Sequence, residues 1–149
     1  MIPCLPCPVA PQAYFAYDAH KSGGVTVSHL RFGPKPLTSS YLVNQADYLA
    51  VHLQSYLSKY DCISRLKPGG VLVVNATWKS AEEMDAALPA RVKRQIAALK
   101  PQLYVVDARA VADSVGLGKR VNMVMQTVFF QLSGVVPLSK VSVFLLFVI

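Results

Sequence analysis

Three basic side chains near the N-terminus have the chemistry needed to bind a phosphate group. Arg31 and Lys35 lie on either side of a Gly33-Pro34 step, and Lys21 is followed by Ser-Gly-Gly. A planar guanidinium can form two parallel hydrogen bonds to phosphate oxygens, and an ammonium group adds a point charge. These residues therefore suit recognition of phosphate or pyrophosphate. Ordinary solvated surface charge is the competing interpretation, and the residue types alone favour it.

Ser28 and His29 are a nucleophile type beside a base type, but their spacing argues against a catalytic pair. They lie in a strand-like segment, and neighbouring residues of a strand point to opposite faces, so the hydroxyl and the imidazole cannot meet. The apolar side chains change parity there, from Val25 and Val27 to Leu30. Either both faces of this strand are buried or a β-bulge intervenes.

The cysteines and histidines lack the spacing of a metal site. Cys4 and Cys7 form a CxxC, but prolines surround it and no strand precedes it, while Cys62 is isolated. This usage fits a reducing compartment. His52 ends a predicted strand, where a packed histidine is the expected role. The sequence therefore predicts no metal centre in this chain.

The segment Gly116-Leu-Gly-Lys-Arg120 looks like part of a phosphate-binding loop. It fails the full pattern, because Asp113 replaces the first glycine and Arg120 replaces the hydroxyl residue that would ligate a metal. We interpret it as a turn between two helices. The exposed amides that begin the second helix could still receive an anion.

Strand-like and helix-like patterns alternate from residue 47 onward. The predicted strands cover 48–51, 71–74 and 103–106, and the predicted helices cover 54–66, stretches around 84–88 and 92–99, 108–115 and 121–133. Ser80 and Glu83 form a capping box, and Pro89 either kinks that helix or starts another. The order indicates an α/β fold, with a layered, mostly parallel sheet and helices on its faces.

The two ends of the chain differ from this regular region. Residues 1–13 are proline-rich and are predicted to form an irregular tail before a short strand at 14–17, so that a single domain covers 14–149. The N-terminus lacks the basic region of a secretory signal. Residues 141–149 are almost wholly apolar and too short to span a bilayer, which suggests a clipped helix.

The composition is apolar for a free-standing domain. The 149 residues are 53% hydrophobic and 15% charged, whereas about a quarter of residues are usually charged. Because no apolar run reaches the length of a membrane span, we expect a domain that buries surface against partners. The net charge of +7 is scattered over separate helix ends, so the sequence favours solvated faces or an anionic small molecule over nucleic acid.

Several motifs in a fixed order carry a resemblance to one family. The longest blocks are Val25–Pro36 and Arg120–Pro137, and between them lie Tyr41–Asp47, Leu66–Gly70 and Val115–Gly118. They resemble the gamma domain, or third domain, of the pyruvate:ferredoxin (or flavodoxin) oxidoreductases, in the form found in the single-chain enzyme. The resemblance covers about residues 14–138.

The resemblance implies a role in the anaerobic oxidation of pyruvate, in which coenzyme A takes the acetyl group and ferredoxin or flavodoxin takes the electrons. Thiamine diphosphate and [4Fe–4S] clusters are held by other domains of the full enzyme, and those domains are the implied partners. The implied coenzyme A contacts are Lys21, Ser28, Arg31 and Lys35, with His29 in support. The implied location is the cytoplasm, or an anaerobic organelle in a eukaryote.

Two departures from the family pattern shape the expectation for this chain. The family domain begins with a glycine-rich strand–turn–helix, where this chain has Met1–Pro11, and it ends in a charged helix, where this chain is apolar. We therefore expect a fragment that is incomplete at both ends and has no oxidoreductase activity alone. The alternative is a non-catalytic interaction remnant that folds only with partner domains.

Overall fold

The computed structural model describes residues 10–17, 24–38 and 42–136. They belong to two compact units, Met1–Asn44 and Gln45–Ile149. The first unit contains strands β1 (Ala10–Tyr17) and β2 (Thr26–Gly33). The second contains β3 (Ala46–Val51), α1 (Tyr56–Lys59), β4 (Leu66–Asn75), α2 (Ala81–Ala87), α3 (Ala90–Leu99), β5 (Gln102–Val106), α4 (Ala108–Ser114) and α5 (Val121–Ser133). Cys4, Cys7, Lys21 and the apolar C-terminal segment lie outside the described residues. The single domain predicted over 14–149 stays a prediction.

The first unit is an antiparallel hairpin. Strands β1 and β2 pair without a register shift from Ala10 opposite Gly33 to Tyr17 opposite Thr26. Strand β1 therefore starts before the predicted position, and residues 10–13 of the predicted tail are extended backbone in a sheet. The β-bulge expected near Ser28 is absent from this described hairpin.

Both faces of β2 are partly open to solvent, so the alternative expectation of two buried faces is also wrong. Val27 on one face is 39% exposed and Leu30 on the other is 44% exposed. The parity switch in the sequence thus reflects a hairpin whose apolar side chains are divided between two faces.

The second unit is built on a parallel three-stranded sheet in the order β3-β4-β5, which confirms the α/β prediction. Strand β4 is central because its apolar run is buried on both sides: Leu72 and Val73 are 0% exposed and Val74 is 1% exposed. Such continuous apolar runs are typical of parallel strands covered by helices.

Helices cover the sheet on each face. Leu72 and Val74 pack in one core cluster with residues of α1 and α3, among them Leu57 and Val92. Val73 points the other way into a second cluster, formed with α4 and α5. The alternation of side chains along one strand therefore produces the layered architecture.

The local signals at the helix ends are mostly confirmed. Ser80 Oγ accepts a hydrogen bond from Glu83 N at 3.2 Å, and Glu83 Oε2 accepts one from Lys79 N at 2.8 Å. Pro89 precedes the first residue of α3, so it starts a second helix instead of kinking α2. Gly134 closes α5 in the left-handed conformation, with φ of 62°.

Helix α1 is much shorter than the predicted 54–66. It ends when Tyr60 adopts an extended conformation, with φ of −124°. The chain then turns so that Ile63, 1% exposed, enters the core, and Leu66 N donates to Ile63 O at 2.9 Å. Burial of Ile63 and the start of β4 prevail over the local helical pattern.

The segment Lys67–Gly70, which precedes the predicted strand at 71–74, is an irregularity inside β4. Ala46 pairs with Leu66 and Tyr48 already pairs with Val71, so three extra residues bulge from the ladder. A Cβ atom on Gly70 would lie 2.9 Å from Leu66 Cδ1 and 3.1 Å from Asp47 O. Gly70 is therefore required because a backbone carbonyl approaches it closely.

The segment between α4 and α5 is a turn, as predicted. Leu117 N donates to Ala112 O at 2.8 Å, and Gly116 and Gly118 have φ of 75° and 54°. Both glycines adopt a left-handed backbone that other residues occupy at a cost. Within the three described ranges, no helix is long and apolar enough to cross a membrane.

We predict that Gly70→Ala lowers the free energy of unfolding by about 1–3 kcal/mol, because the added methyl group meets a backbone carbonyl that cannot easily move. Urea denaturation followed by circular dichroism measures the change. Gly33→Ala is the matched control, since its new Cβ would meet its neighbours only at ordinary contact distances, 3.4 Å from Leu37 Cδ2 and 3.6 Å from Lys35 O. Equal stability of the two variants would contradict the close approach at Gly70.

We predict that Tyr48→Phe does not destabilise the protein at neutral pH and raises the free energy of unfolding by up to about 1 kcal/mol. The Tyr48 hydroxyl is buried without a hydrogen-bond partner among the described residues, and its ring packs edge-on against Phe129 at 5.1 Å between centroids. Desolvation by burial raises the pKa of Tyr48 from 10.0 to about 12.

The raised pKa of Tyr48 also predicts how the free energy of unfolding changes at alkaline pH. A raised folded-state pKa gives stability that is fully present below pH 10.0 and is lost as the pH rises toward 12, because the unfolded chain releases its proton first. The stability gap between Tyr48→Phe and the parent chain should widen over that window. Tyr104→Phe, at a side chain 39% exposed, is the control expected to change little. A clear loss of stability in Tyr48→Phe at neutral pH would show that the hydroxyl has a partner.

Candidate functional site

The hairpin places Arg31 and His29 on one face and Ser28 on the other. In the regular register Arg31 lies opposite Gln12, and His29 lies opposite Tyr14. Arg31 is half-buried, and its Nη1 donates to Gln12 Oε1 at 3.3 Å. This bond restricts the orientation of the guanidinium, so that less rotamer entropy remains to be lost when it binds an anion.

His29 is buried, with 6% of its surface exposed, and its side chain has a structural role. Its Nδ1 accepts a hydrogen bond from Val43 N at 3.2 Å, and its ring centroid lies 6.4 Å from that of Tyr14. A nitrogen that accepts carries no proton, so the imidazole is neutral in this arrangement. His29 thus attaches the segment around Val43 to β2, in keeping with a supporting role.

The other predicted contacts are placed differently. Lys35 is exposed just beyond the end of β2, where Gly33 and Pro34 terminate strand pairing. Ser28 is exposed on the face opposite Arg31. Lys21 lies outside the described residues. Of the predicted set, the described hairpin brings only His29 and Arg31 onto one face.

The second unit has a distinct feature at the carboxyl edge of its parallel sheet. Asn75 Nδ2 donates to His52 O at 3.0 Å, and Asn75 Oδ1 accepts from Ala108 N at 3.1 Å. One side-chain amide therefore joins the ends of β3 and β4 to the start of α4. Sequence reasoning missed this role of Asn75. Its signal was an amide directly after a fully buried strand.

A cleft of about 400 Å³ opens beside this edge. Its walls come from the segment after β3, from Trp78 after β4 and from the link between α2 and α3, and include Leu53, Gln54, Ser55, Trp78 and Pro89. Ligands of parallel α/β sheets characteristically bind beyond the carboxyl ends of the strands. Sequence reasoning did not identify this cleft, although the only tryptophan of the chain lines it.

The titratable groups of the second unit differ from expectation in one case. The prediction that His52 is a packed histidine is wrong, because its side chain is exposed, although partial desolvation still lowers its pKa. Burial, followed by the charge of Asp61, raises the pKa of the Cys62 thiol, which disfavours the reactive thiolate. Within 10–17, 24–38 and 42–136, no group of three acidic, histidine or cysteine residues could hold a metal ion.

Comparison with known proteins gives one consistent family. The family model described as pyruvate ferredoxin/flavodoxin oxidoreductase matches residues 8–145. A pyruvate dehydrogenase [NADP(+)] from Euglena gracilis is 54% identical over 129 residues, covering 87% of this chain and 7% of that protein.

Two bacterial proteins show the same relation. The pyruvate:ferredoxin oxidoreductase of Moorella thermoacetica is 51% identical, and the pyruvate-flavodoxin oxidoreductase of Enterobacter agglomerans is 50% identical, each over 87% of this chain and 11% of the relative. The chain thus spans only about a tenth of the length of the curated relatives it matches. A match over nearly all of its residues shows that the chain belongs to the pyruvate ferredoxin/flavodoxin oxidoreductase family.

Proposed function

We propose that this chain provides the coenzyme A-handling part of an enzyme that converts pyruvate, coenzyme A and oxidised ferredoxin or flavodoxin into acetyl-CoA, CO2 and the reduced carrier. The family match supports the proposal, as do the names of the relatives in Moorella thermoacetica and Enterobacter agglomerans. The observation that carries it is the basic end of the hairpin, formed by Arg31 and Lys35.

Coenzyme A carries a pyrophosphate and a further phosphate, so its recognition requires cations. Arg31 supplies a guanidinium whose orientation is restricted by Gln12, and Lys35 supplies an exposed ammonium group four residues further along the chain. A guanidinium can bind two phosphate oxygens at once, whereas an ammonium group acts as a point charge. Lys21 and Ser28 are proposed as additional contacts, and His29 as the residue that supports the hairpin.

The redox cofactors of the proposed enzyme belong to other parts of it. A [4Fe–4S] cluster takes four cysteine thiolates, and this chain has three cysteines in all, so it cannot supply a complete cluster. We therefore assign the clusters to partner domains. The resemblance to the family assigns thiamine diphosphate to partner domains as well, and we propose that the isolated chain reduces neither ferredoxin nor flavodoxin. The cytoplasm, or an anaerobic organelle, is the proposed location.

A second candidate function is that of an interaction segment that folds only against partner domains. Phe15 is 50% exposed, Leu30 is 44% exposed, and the regular register places them on the same face of the hairpin. A two-stranded hairpin alone is marginally stable in water, so an open apolar face favours a covering partner.

The first candidate predicts specific losses of coenzyme A affinity. We expect Arg31→Ala and Lys35→Ala each to weaken binding roughly 10- to 100-fold, because a charge-assisted contact is worth about 1.5–3 kcal/mol. Isothermal titration calorimetry with the purified chain measures the dissociation constants. Arg94→Ala and Lys119→Ala are matched controls, since they remove the same charges from exposed positions in the second unit.

The outcomes separate the residue assignment from the function. Unchanged binding in both hairpin variants would refute the assignment of Arg31 and Lys35. A parent chain that binds no coenzyme A would remove the ligand-handling role and leave the interaction role.

The second candidate makes the opposite prediction about folding. If the chain needs partners to fold, circular dichroism of the isolated chain should show no cooperative thermal transition, and sedimentation should show self-association through exposed apolar surface. A monomeric chain that melts cooperatively would exclude it.

A further inference from the structure

The cleft at the carboxyl edge of the sheet is lined by an aromatic side chain, Trp78, and by the polar residues Gln54 and Ser55. Trp78 is half-buried and packs against the core cluster beneath it, so its ring is supported from behind. Leu53, which also lines the cleft, is 52% exposed, an unusual position for a large apolar side chain in a concave site. Pro89 also lines the cleft. The walls therefore suit a thin apolar ring.

The polar residues of the cleft offer hydrogen-bonding groups that the fold does not use. Among the residues that the structure describes, the side-chain amide of Gln54 and the hydroxyl of Ser55 form no hydrogen bond with the protein, although the backbone carbonyls of both do. A glutamine amide presents a donor and an acceptor side by side, and this pair matches the edge of adenine. A serine hydroxyl can serve as donor or acceptor to a ribose.

We propose that this cleft binds the adenine ring of a nucleotide, stacked on Trp78 and recognised along its edge by Gln54. Stacking of a base on an aromatic side chain is a substantial and geometrically simple source of affinity. The volume of about 400 Å³ lies at the small end of the range for ligand sites, which suits a nucleoside moiety better than an entire dinucleotide.

The adenine could belong to coenzyme A or to a free adenine nucleotide, which share this chemistry. The coenzyme A case rests on the proposed function, whereas the adenine site itself does not. An aromatic side chain of a partner protein would satisfy Trp78 equally, but it would leave the paired donor and acceptor of Gln54 without a match. The polar residues of the cleft therefore favour a heterocycle.

Fluorescence of the chain tests the site directly, because Trp78 is the only tryptophan. AMP and coenzyme A should both quench Trp78 emission saturably, whereas pantetheine 4′-phosphate, which lacks adenine, should not. Quenching by coenzyme A but not by AMP assigns the site to the coenzyme, and quenching by both with similar midpoints assigns it to adenine nucleotides in general; either result supports the adenine site.

Substitutions of two glutamines distinguish recognition of the adenine edge by Gln54 from the general effect of replacing a glutamine. Gln54→Leu should raise the midpoint of AMP quenching about tenfold, since one bidentate contact to a base is lost. Gln102→Leu, at an exposed glutamine of β5, should leave it unchanged. Circular dichroism verifies that each variant retains the parent fold.

Three results would overturn the proposal: no saturable quenching by either adenine compound, equal quenching by pantetheine 4′-phosphate, or an unchanged midpoint in Gln54→Leu. Coenzyme A binding measured by calorimetry without any change in Trp78 emission would reject the cleft while leaving the proposed function intact. If calorimetry shows no binding of coenzyme A but AMP still quenches Trp78 emission, the adenine site stands and the proposed function is rejected.

Discussion

Burial of strand β4 on both faces is the constraint on which the second unit depends. Leu72 and Val74 point into one cluster and Val73 points into the other, all essentially without solvent exposure. Each such side chain contributes roughly 1.5–3 kcal/mol through burial alone. Helices must therefore lie on both faces of the sheet, and the strand ends must meet at one edge. The cleft beside Trp78 exists because that edge is built this way.

The sequence was sufficient for the parts of the fold that depend on strong local patterns. The apolar run at 71–74 and the Ser80–Glu83 capping box are such patterns, because each depends on a few neighbouring residues. The length of α1 and the path of Lys67–Gly70 were not predictable in this way. Both depend on tertiary contacts, namely the burial of Ile63 and the approach of the Asp47 carbonyl to Gly70.

The candidate sites show the same division. Arg31 and Lys35 could be singled out from charge and from a recognised motif, and strand alternation correctly separated Ser28 from His29. The burial of His29 and its bond to Val43 could not be foreseen, because the partner is 14 residues away and is a backbone amide. The cleft could not be predicted from the sequence for a similar reason, since its walls come from three segments that only the assembled sheet brings together.

The polar contacts of the hairpin help to fix the register of its two strands. Apolar side chains normally fix the alignment of a strand, because a slip by one residue exchanges the buried and exposed faces. In β2 the apolar residues are divided between the faces, so such a slip would cost little hydrophobic energy. It would, however, carry Arg31 away from Gln12 and the ring of His29 away from that of Tyr14. These polar contacts therefore help to discriminate against misaligned hairpins, and the cation proposed to bind phosphate also helps to define the geometry that presents it.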